Sequence, residues 1–450
     1  MVSTQQFDVV VVGFGKAGKT IAMKRAKAGD KVALIERDPR MFGGTCINIG
    51  CVPTKKLLTE MAAFELVGGD KDQGFATAVE RRNALIEKMN AANKGMADNA
   101  GVTVIVGEAR FVGAHTVQVT GGEDELKISG ETIIINTGAT PVWPPIPGID
   151  GERIFNSTQI QQIERPQHLV VVGGGPIGLE FATLFSGFGS QVTVLDAADR
   201  PLARFDEDVA AMAAELMEKR GVTFINGAQV TEFVEDADQV TVRYEGGEVT
   251  ADAVLVAIGR KPATAGLGLE EAGIELNERG AVKVDEHLRT TAEGVYAAGD
   301  VNGGPQFTYI SFDDHRIILA DKWGVGKLHS TKDRVIPTTT FLEPPLSTVG
   351  VSRADVAERI DAGEVVERVV KIAEVPILPR PKILGQPEGM ARLIVEKESD
   401  KILGATLFCI DSQELINTVA LAMRHDVTAT ELAEGIYTHP ATSEVFNALG

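Results

Sequence analysis

Two cysteines five positions apart, Cys46 and Cys51, are the residues of this sequence best suited to redox chemistry. Residues i and i+5 of a regular helix are too far apart for a disulfide, so a bridge needs a distorted first turn, which the flanking glycines permit. Pro53 fits a helix that begins in this region. A thiol near a helix N-terminus has a lowered pKa. As a structural staple the loop would contribute only about 2 kcal/mol, so we favour a redox-active dithiol.

Two glycine-rich turns repeat one pattern along the chain. Each follows an apolar run, opens a helical stretch and leads to a second apolar run that ends in an acid, Glu36 or Asp196. Each acid lies 23 residues after the first glycine of its turn (36 − 13 and 196 − 173). Continuous Val, Ile and Leu runs are typical of strands buried on both faces of a parallel sheet. The glycines concerned are Gly13, Gly15 and Gly18, and then Gly173, Gly175 and Gly178.

This pattern predicts an α/β chain with two Rossmann-like dinucleotide-binding units. The first glycine allows a tight turn, the second lets the backbone approach a pyrophosphate, and the third packs helix on strand. Glu36 would accept a ribose hydroxyl. Asp196 would repel a 2′-phosphate and so favours NADH over NADPH, although Arg200 nearby could soften that preference. The alternative is that Asp196 is only a loop residue.

The first turn also matches a different motif. Residues 13–20 satisfy G-x-x-x-x-G-K-[ST], the phosphate-binding loop of NTPases, with Lys19 on the phosphates and Thr20 on Mg²⁺. This alternative explains neither Glu36 nor the second copy nor the cysteine pair. In the dinucleotide interpretation Lys19 and Thr20 are ordinary first-turn helix residues.

Composition excludes several classes of partner. The 450 residues suggest about three domains. A net charge of −19 disfavours nucleic acid and anionic membranes. We find no apolar run long enough to span a bilayer and no signal peptide, and three cysteines are too few for a secreted disulfide scaffold. We therefore expect a cytoplasmic protein, with Cys409 as a small core residue.

Together these features resemble the pyridine nucleotide–disulfide oxidoreductases, the flavoprotein family that includes dihydrolipoamide dehydrogenase, glutathione reductase and mercuric reductase. Residues 43–55 (GGTCINIGCVPTK) resemble its active-site signature, and residues 439–444 (HPATSE) resemble its His-Pro-Thr-x-x-Glu tail, with alanine in place of threonine. The resemblance implies that electrons pass from NAD(P)H through FAD to a Cys46–Cys51 disulfide. It makes Cys51 the charge-transfer thiolate beside the flavin and Cys46 the outer, interchange thiol.

The resemblance also assigns the remaining site residues. His439 would be the acid–base for the dithiol, supplied across a homodimer, and Glu444 would orient it. Lys55 and Glu180 match an ion pair beside the flavin, and Asp300 matches the second FAD motif. Further cofactor contacts are expected at Thr45, Gly138, Gly259 and Thr308. We expect no resident metal ion, because the other histidines lack a metal-ligand pattern.

The predicted architecture has four segments. Residues 1–150 and 270–335 would bind FAD, 151–269 would bind NAD(P)H, and an α+β region over 336–450 would form the dimer interface. Within the family, segments such as GFGKAGKT and QFTYIS resemble the reactive-chlorine-resistance flavoproteins, which implies a thiol, disulfide or metal-ion acceptor, with Cu(II) as one candidate.

Four alternatives remain open for the function. The chain could be a dihydrolipoamide dehydrogenase or a mercuric-reductase-like enzyme, although we expect no terminal metal-handoff cysteine pair because the sequence ends at Gly450 without one. From different classes, it could be a P-loop NTPase or a non-catalytic redox sensor.

Overall fold

The computed structural model describes residues 4–121 and 125–450 of the chain. Its first sheet has seven strands in the order β3-β2-β1-β6-β5-β4, with β17 beside β6. The strands β1, β2 and β6 pair in parallel and are apolar on both faces near their carboxyl ends. The strands are β1 (Thr4–Val12), β2 (Val32–Glu36), β3 (Thr103–Val106), β4 (Glu108–Gly113), β5 (Thr116–Thr120), β6 (Leu126–Ile135) and β17 (Val295–Ala297).

A second sheet of five parallel strands has the order β11-β10-β9-β15-β8. Its strands are β8 (Ile154–Asn156), β9 (His168–Val172), β10 (Gln191–Asp196), β11 (Val222–Asn226) and β15 (Ala253–Val256). Two small antiparallel sheets flank it, formed by β12 (Val230–Glu235), β13 (Val240–Tyr244) and β14 (Gly247–Ala251), and by β7 (Ala139–Pro141) with β16 (Arg260–Pro262).

The last part of the chain forms an antiparallel sheet of five strands in the order β18-β19-β22-β21-β20. One face of this sheet packs on the C-terminal helices through a separate apolar core. Cys409 follows the sheet and is fully buried in that core, as predicted. The strands are β18 (Thr338–Thr340), β19 (Leu346–Gly350), β20 (Val365–Lys371), β21 (Met390–Glu396) and β22 (Ile402–Phe408).

Helices connect and cover these sheets. They are α1 (Lys16–Lys27), α2 (Thr45–Asn48), α3 (Cys51–Val67), α4 (Lys71–Asn99), α5 (Pro176–Gly187), α6 (Glu207–Lys219), α7 (Thr308–Trp323), α8 (Ala357–Asp361), α9 (Pro379–Leu384), α10 (Ser412–Arg424) and α11 (Ala429–Ala433). No helix of the described ranges is long and apolar enough to cross a membrane.

The repeated pattern of the sequence is a repeated structure. The units β1-α1-β2 and β9-α5-β10 each bring two parallel strands together around a glycine turn. The predicted fold class, two Rossmann-like units followed by an α+β region, is confirmed. The helix that begins at Cys51 ends at Val67, because Gly68 and Gly69 adopt positive φ values of 73° and 131° between α3 and α4.

A shared apolar cluster fixes α3 and α4 against α5. Leu57 and Met61 of α3 and Phe75 of α4 pack with Phe185 and Phe188, and all five side chains are almost fully buried. Burial of each such side chain contributes roughly 1.5–3 kcal/mol. The cluster therefore holds the helix that starts at the second cysteine firmly against the second dinucleotide unit.

Candidate active site

The two cysteines lie on either side of a break between α2 and α3. Cys46 is in α2, Cys51 is the first residue of α3, and Gly50 between them has φ −117° and ψ −110°. The N–H groups of Ile49 and Gly50 both donate to the carbonyl oxygen of Thr45, at 3.0 and 2.8 Å. This is the distorted first turn that the spacing requires. Both cysteines are free thiols, and Cys51 is exposed.

The two thiols differ in acidity. The hydrogen bond from the Cys46 thiol, aided by the Thr308 hydroxyl 3.7 Å away and by the charge of Lys55, lowers the pKa of Cys51 to about 6. The same hydrogen bond, together with burial, raises the pKa of Cys46 above its ordinary value. Near neutral pH the reduced pair therefore carries one negative charge, on Cys51.

An ion pair joins the cysteine helix to the second dinucleotide unit. Lys55 Nζ lies 2.5 Å from Glu180 Oε2, and Glu180 Oε1 accepts a hydrogen bond from the N–H of Phe341 at 3.2 Å. The Lys55 ammonium also lies 4.5 Å from the centre of the Phe341 ring. The structure thus brings the two predicted residues into contact and adds a third from the segment before β19.

The first glycine turn is built around Asn136, which sequence reasoning missed. A side chain at Gly13 (φ +99°) would place its Cβ 2.5 Å from the carbonyl oxygen of Asn136, and one at Gly15 would lie 2.3 Å from Asn136 Oδ1. Asn136 Oδ1 accepts from Gly18 N–H at 2.9 Å, and Nδ2 donates to Ala298 O at 2.5 Å. The only signal for Asn136 was its position directly after an apolar strand.

This cradle fits the pyrophosphate of FAD. The N-cap residue Gly15 has no side chain to cap α1. The Ala17 and Gly18 N–H groups are taken by Ser311 and Asn136, so within the described residues the N–H groups of Gly15 and Lys16 remain available for an anion. At the facing strand end, the Gly299 N–H donates to Asp314 at 2.6 Å and the Ala17 N–H donates to Ser311 at 3.2 Å. The Gly299–Asp314 bond holds the loop that carries Asp300, and the Ala17–Ser311 bond joins α1 to α7. Burial raises the pKa of Asp300.

The acids of the two repeats make the same contact. Glu36 Oε2 accepts from the N–H of Phe14, and Asp196 Oδ2 accepts from the N–H of Gly174, both at 3.0 Å. In each case the donor is the residue after the first glycine, 22 positions before the acid. Asp196 is therefore held at its glycine turn and is not a free loop residue. Burial raises the pKa of Glu36.

Arg200 is turned away from this acid. Its guanidinium donates to backbone carbonyl oxygens of its own loop, at Leu202 (3.5 Å), Ala203 (3.1 Å) and Phe205 (2.8 Å). Within the described residues, the Arg200 guanidinium forms these bonds and no ion pair with Asp196.

Of four further residues predicted to contact a cofactor, three lie at the cysteine pair and one lies in the second dinucleotide unit. Gly138, with φ +75°, faces Thr45, whose Oγ1 would lie 3.8 Å from a Cβ at that glycine. Thr308 begins α7 beside Cys51. These three residues lie at the cysteine pair, whereas Gly259 follows β15 in the second unit, where its carbonyl accepts from Val142.

Lys19 is not the ordinary first-turn residue expected from the sequence. Its side chain is only 4% exposed and is hydrogen-bonded to Asn93 of α4. Burial, helped by the charge of Lys16, lowers the pKa of Lys19 to about 8. The Thr20 hydroxyl donates to the Lys16 carbonyl at 2.6 Å. Neither side chain is free for a triphosphate or Mg²⁺, which argues against the NTPase alternative.

The tail motif forms a second, separate cluster. His439 Nδ1 lies 2.8 Å from Glu444 Oε1, and Glu444 Oε2 accepts from the N–H of Ala441 at 2.9 Å. Both hydrogen bonds lower the pKa of Glu444, and the bond from the Ala441 N–H has the larger effect. The His439 side chain is 67% exposed, and within the described residues of one chain it has no hydrogen bond to either cysteine.

Comparison with known proteins places these features in one family. Residues 7–314 match the model described as pyridine nucleotide-disulphide oxidoreductase, and residues 336–449 match the dimerisation domain of the same family. The second match supports a homodimer.

Individual relatives agree with the family models. A probable pyridine nucleotide-disulfide oxidoreductase, RclA of Escherichia coli K12, is 42% identical over 99% of this chain and 98% of its own. A dihydrolipoyl dehydrogenase of Corynebacterium glutamicum is 31% identical over 98% of this chain and 96% of its own. A solved structure, the Cu(II) complex of the HOCl-induced flavoprotein disulfide reductase RclA from Escherichia coli, has a TM-score of 0.93 and 42% identity, and the match covers 99% of each chain. The chain therefore belongs to the pyridine nucleotide–disulfide oxidoreductases, enzymes that depend on FAD and use pyridine nucleotides.

Proposed function

We propose that this enzyme oxidises NADH to keep Cys46 and Cys51 reduced, and that the dithiol passes its electrons to Cu(II) as the acceptor. The observation that carries the proposal is the pair itself: an exposed thiolate on Cys51 hydrogen-bonded to a neighbouring thiol. Thiolates are ligands that soft metal ions prefer. A relative that is 42% identical has been solved as a Cu(II) complex.

The chain divides by task in this proposal. Residues 1–150 and 270–335 bind FAD, 151–269 bind the nicotinamide coenzyme, and 336–450 form the interface. The first and third segments contribute strands to one sheet, since β17 pairs with β6, which supports their common task. The second segment has its own parallel sheet around the turn at residues 173–178.

The residues at the first glycine turn fit FAD, which when bound supplies the redox centre between the nicotinamide and the disulfide. Gly13, Gly15 and Gly18 admit the pyrophosphate, Glu36 faces the ribose, and Asp300 lies at the opposite strand end. Thr45, Lys55, Gly138 and Thr308 surround the cysteine pair, while Gly173, Gly175, Gly178, Asp196 and Gly259 serve the coenzyme.

The two thiols take different parts. Cys51 holds its negative charge because Cys46, Thr308 and Lys55 stabilise it. Cys46, whose pKa is raised, keeps its proton until an acceptor arrives. Oxidation of the dithiol to the disulfide releases two electrons, which reduce two Cu(II) to two Cu(I), and any thiol proton leaves to a base.

We assign that base to His439 of the partner subunit. Histidine exchanges protons near neutral pH, and Glu444 fixes the ring by accepting from Nδ1, which leaves Nε2 for the proton. In residues 4–121 and 125–450 of a single chain, no three His, Cys, Asp or Glu side chains are arranged to hold a metal ion. Two thiols and the partner's His439 would together provide such a set at the dimer interface.

The experiment is anaerobic reoxidation. The holoenzyme is reduced with one equivalent of NADH, and the flavin spectrum is followed after addition of Cu(II) or of lipoamide. Fast reoxidation by Cu(II) that is lost in C46S and C51S supports the proposal. Fast reoxidation by lipoamide with slow reoxidation by Cu(II) would instead make the protein a dihydrolipoamide dehydrogenase. A reducing compartment such as the cytoplasm suits two free, partly exposed thiols.

A further inference from the structure

The backbone carbonyl of Ile49, between the two cysteines, has a partner from outside the cysteine loop. In a continuous helix this carbonyl would accept from the N–H four residues later, but that residue is Pro53, which has none. Gln161 supplies the missing donor: its Nε2 lies 3.0 Å from Ile49 O. Gln161 lies in the segment between β8 and β9, more than a hundred residues along the chain.

The Gln161 amide can point only one way. Its Nε2 also donates to Ser157 O at 2.6 Å, and its Oε1 accepts from Arg82 Nη2 at 3.1 Å. A guanidinium has donors only, so it requires the oxygen of the amide. Arg82 thereby fixes the orientation in which the NH₂ group of Gln161 faces the cysteine loop.

Both side chains are deeply buried, with 1% exposure for Gln161 and 3% for Arg82. Arg82 donates to Asn83 at 2.6 Å, its Nε has no partner, and no carboxylate in the described ranges forms a salt bridge with it. A buried cation without a counter-ion is costly, and burial lowers its pKa. Packing alone would be served better by an apolar residue at this position.

We propose that Gln161 is a positioning residue for the redox disulfide, and that Arg82 locks it. By holding Ile49 O, Gln161 keeps the backbone between Cys46 and Cys51 in the broken-helix conformation that a disulfide between these positions requires. Because the loop is already in this conformation, the effective concentration of one thiol at the other is raised, and disulfide formation is favoured.

Loss of the hydrogen bond between Gln161 and Ile49 O should shift the dithiol–disulfide equilibrium in one direction. A free loop gives the dithiol additional conformations but leaves the disulfide constrained, so the equilibrium moves toward the dithiol. We expect a shift of about tenfold in the equilibrium constant, which equals about 30 mV for a two-electron couple. The inference rests on the proposed redox role of the pair, but it does not depend on which acceptor the enzyme uses.

The test variant is Q161E. A carboxylate keeps an acceptor for Arg82 and nearly the same shape, but it has no hydrogen to donate to Ile49 O. The matched control is Q162E, which places the same charge on the adjacent, exposed residue. Each holoenzyme is equilibrated anaerobically with dithiothreitol buffers of defined ratio, and Cys46 and Cys51 are alkylated and quantified by mass spectrometry.

The expected result is a tenfold shift toward the dithiol in Q161E, with Q162E like the wild type. A second variant, R82M, leaves the donor in place but unlocks the amide, and we expect a smaller shift in the same direction. If Q161E fails to fold, the dithiol–disulfide equilibrium of R82M becomes the test of the proposal. An unchanged equilibrium in the folded variants, or an equal shift in Q162E, overturns the proposal. Because no acceptor is added, failure here leaves the Cu(II) experiment unaffected.

Discussion

The Lys55 ammonium and the Glu180 carboxylate, 2.5 Å apart, act on the Cys51 thiol with opposite sign. Lys55 lowers the pKa of Cys51, and Glu180 raises it. Neutralising one partner should therefore move the thiol pKa in one direction, and neutralising the other should move it in the opposite direction. A purely structural ion pair would not behave in this way.

We predict that K55M raises the pKa of Cys51 and that E180Q lowers it. A change of one pKa unit alters the thiolate fraction about tenfold on the acid side of the titration. The measurement is the pH dependence of iodoacetamide reaction in a C46S background, where Cys51 is the exposed cysteine because Cys409 is buried. Shifts of the same sign in both variants would show that distortion of the loop, and not charge, controls the thiol.

The acidity of Cys51 predicts a pH dependence for the reduced enzyme. Its pKa of about 6 lies below the ordinary value of a thiol, so the thiolate is present above pH 6 and is lost as the pH falls through that value. The long-wavelength absorbance of a thiolate beside the flavin should rise with a midpoint near pH 6 and be absent in C51S. In C46S the midpoint should move upward, since the hydrogen bond from Cys46 is the largest cause of the low pKa.

Coenzyme choice should depend on Asp196 and not on Arg200. Removing the charge in D196N should raise the kcat/KM for NADPH relative to that for NADH by about tenfold, equal to about 1.4 kcal/mol, because a 2′-phosphate is no longer repelled. R200A should leave the ratio unchanged, since its guanidinium is engaged with carbonyl oxygens of its own loop. A larger change in R200A than in D196N would show that the arginine reaches the coenzyme.

The separation of His439 from the cysteines of its own chain predicts complementation between subunits. H439A and C46S homodimers should each be nearly inactive with the acceptor. In a mixed dimer, one site combines intact cysteines with an intact partner histidine. Random re-association yields half mixed dimers with one working site of two, so about one quarter of the wild-type activity should return. No recovery in a mixture shown by mass spectrometry to contain mixed dimers would place the histidine in the same chain as its cysteines.

The sequence was most informative where a local rule links residue type to position. The glycine turns and the acid after each second strand follow such a rule, and Glu36 and Asp196 make matching contacts. The Lys55–Glu180 contact came only from resemblance, because nothing local connects residues 125 positions apart.

The residues missed are polar groups whose hydrogen-bond partners lie far away in the sequence. Asn136, Gln161 and Arg82 belong to no motif, and their partners become visible only when α4, β6 and the glycine turn are assembled. The burial of Lys19 has the same origin, since its hydrogen-bond acceptor lies on α4. Pattern analysis misses such residues because it cannot detect a hydrogen-bond partner that is distant in the sequence.

Asn136 provides a final test of how the first glycine turn is held. N136A leaves the Gly18 N–H and the Ala298 carbonyl without their side-chain partner in a buried site. Each such group costs about 1–3 kcal/mol, so we expect the free energy of unfolding to fall by roughly 2–6 kcal/mol and FAD to dissociate more readily. The measurements are denaturant unfolding and flavin retention on gel filtration. The control is N417A, in which an exposed asparagine on α10 loses one bond to Gln413 O. Equal effects of the two substitutions would mean that the turn keeps its shape without Asn136, because the positive φ of Gly13 and the close packing of the glycines would then suffice.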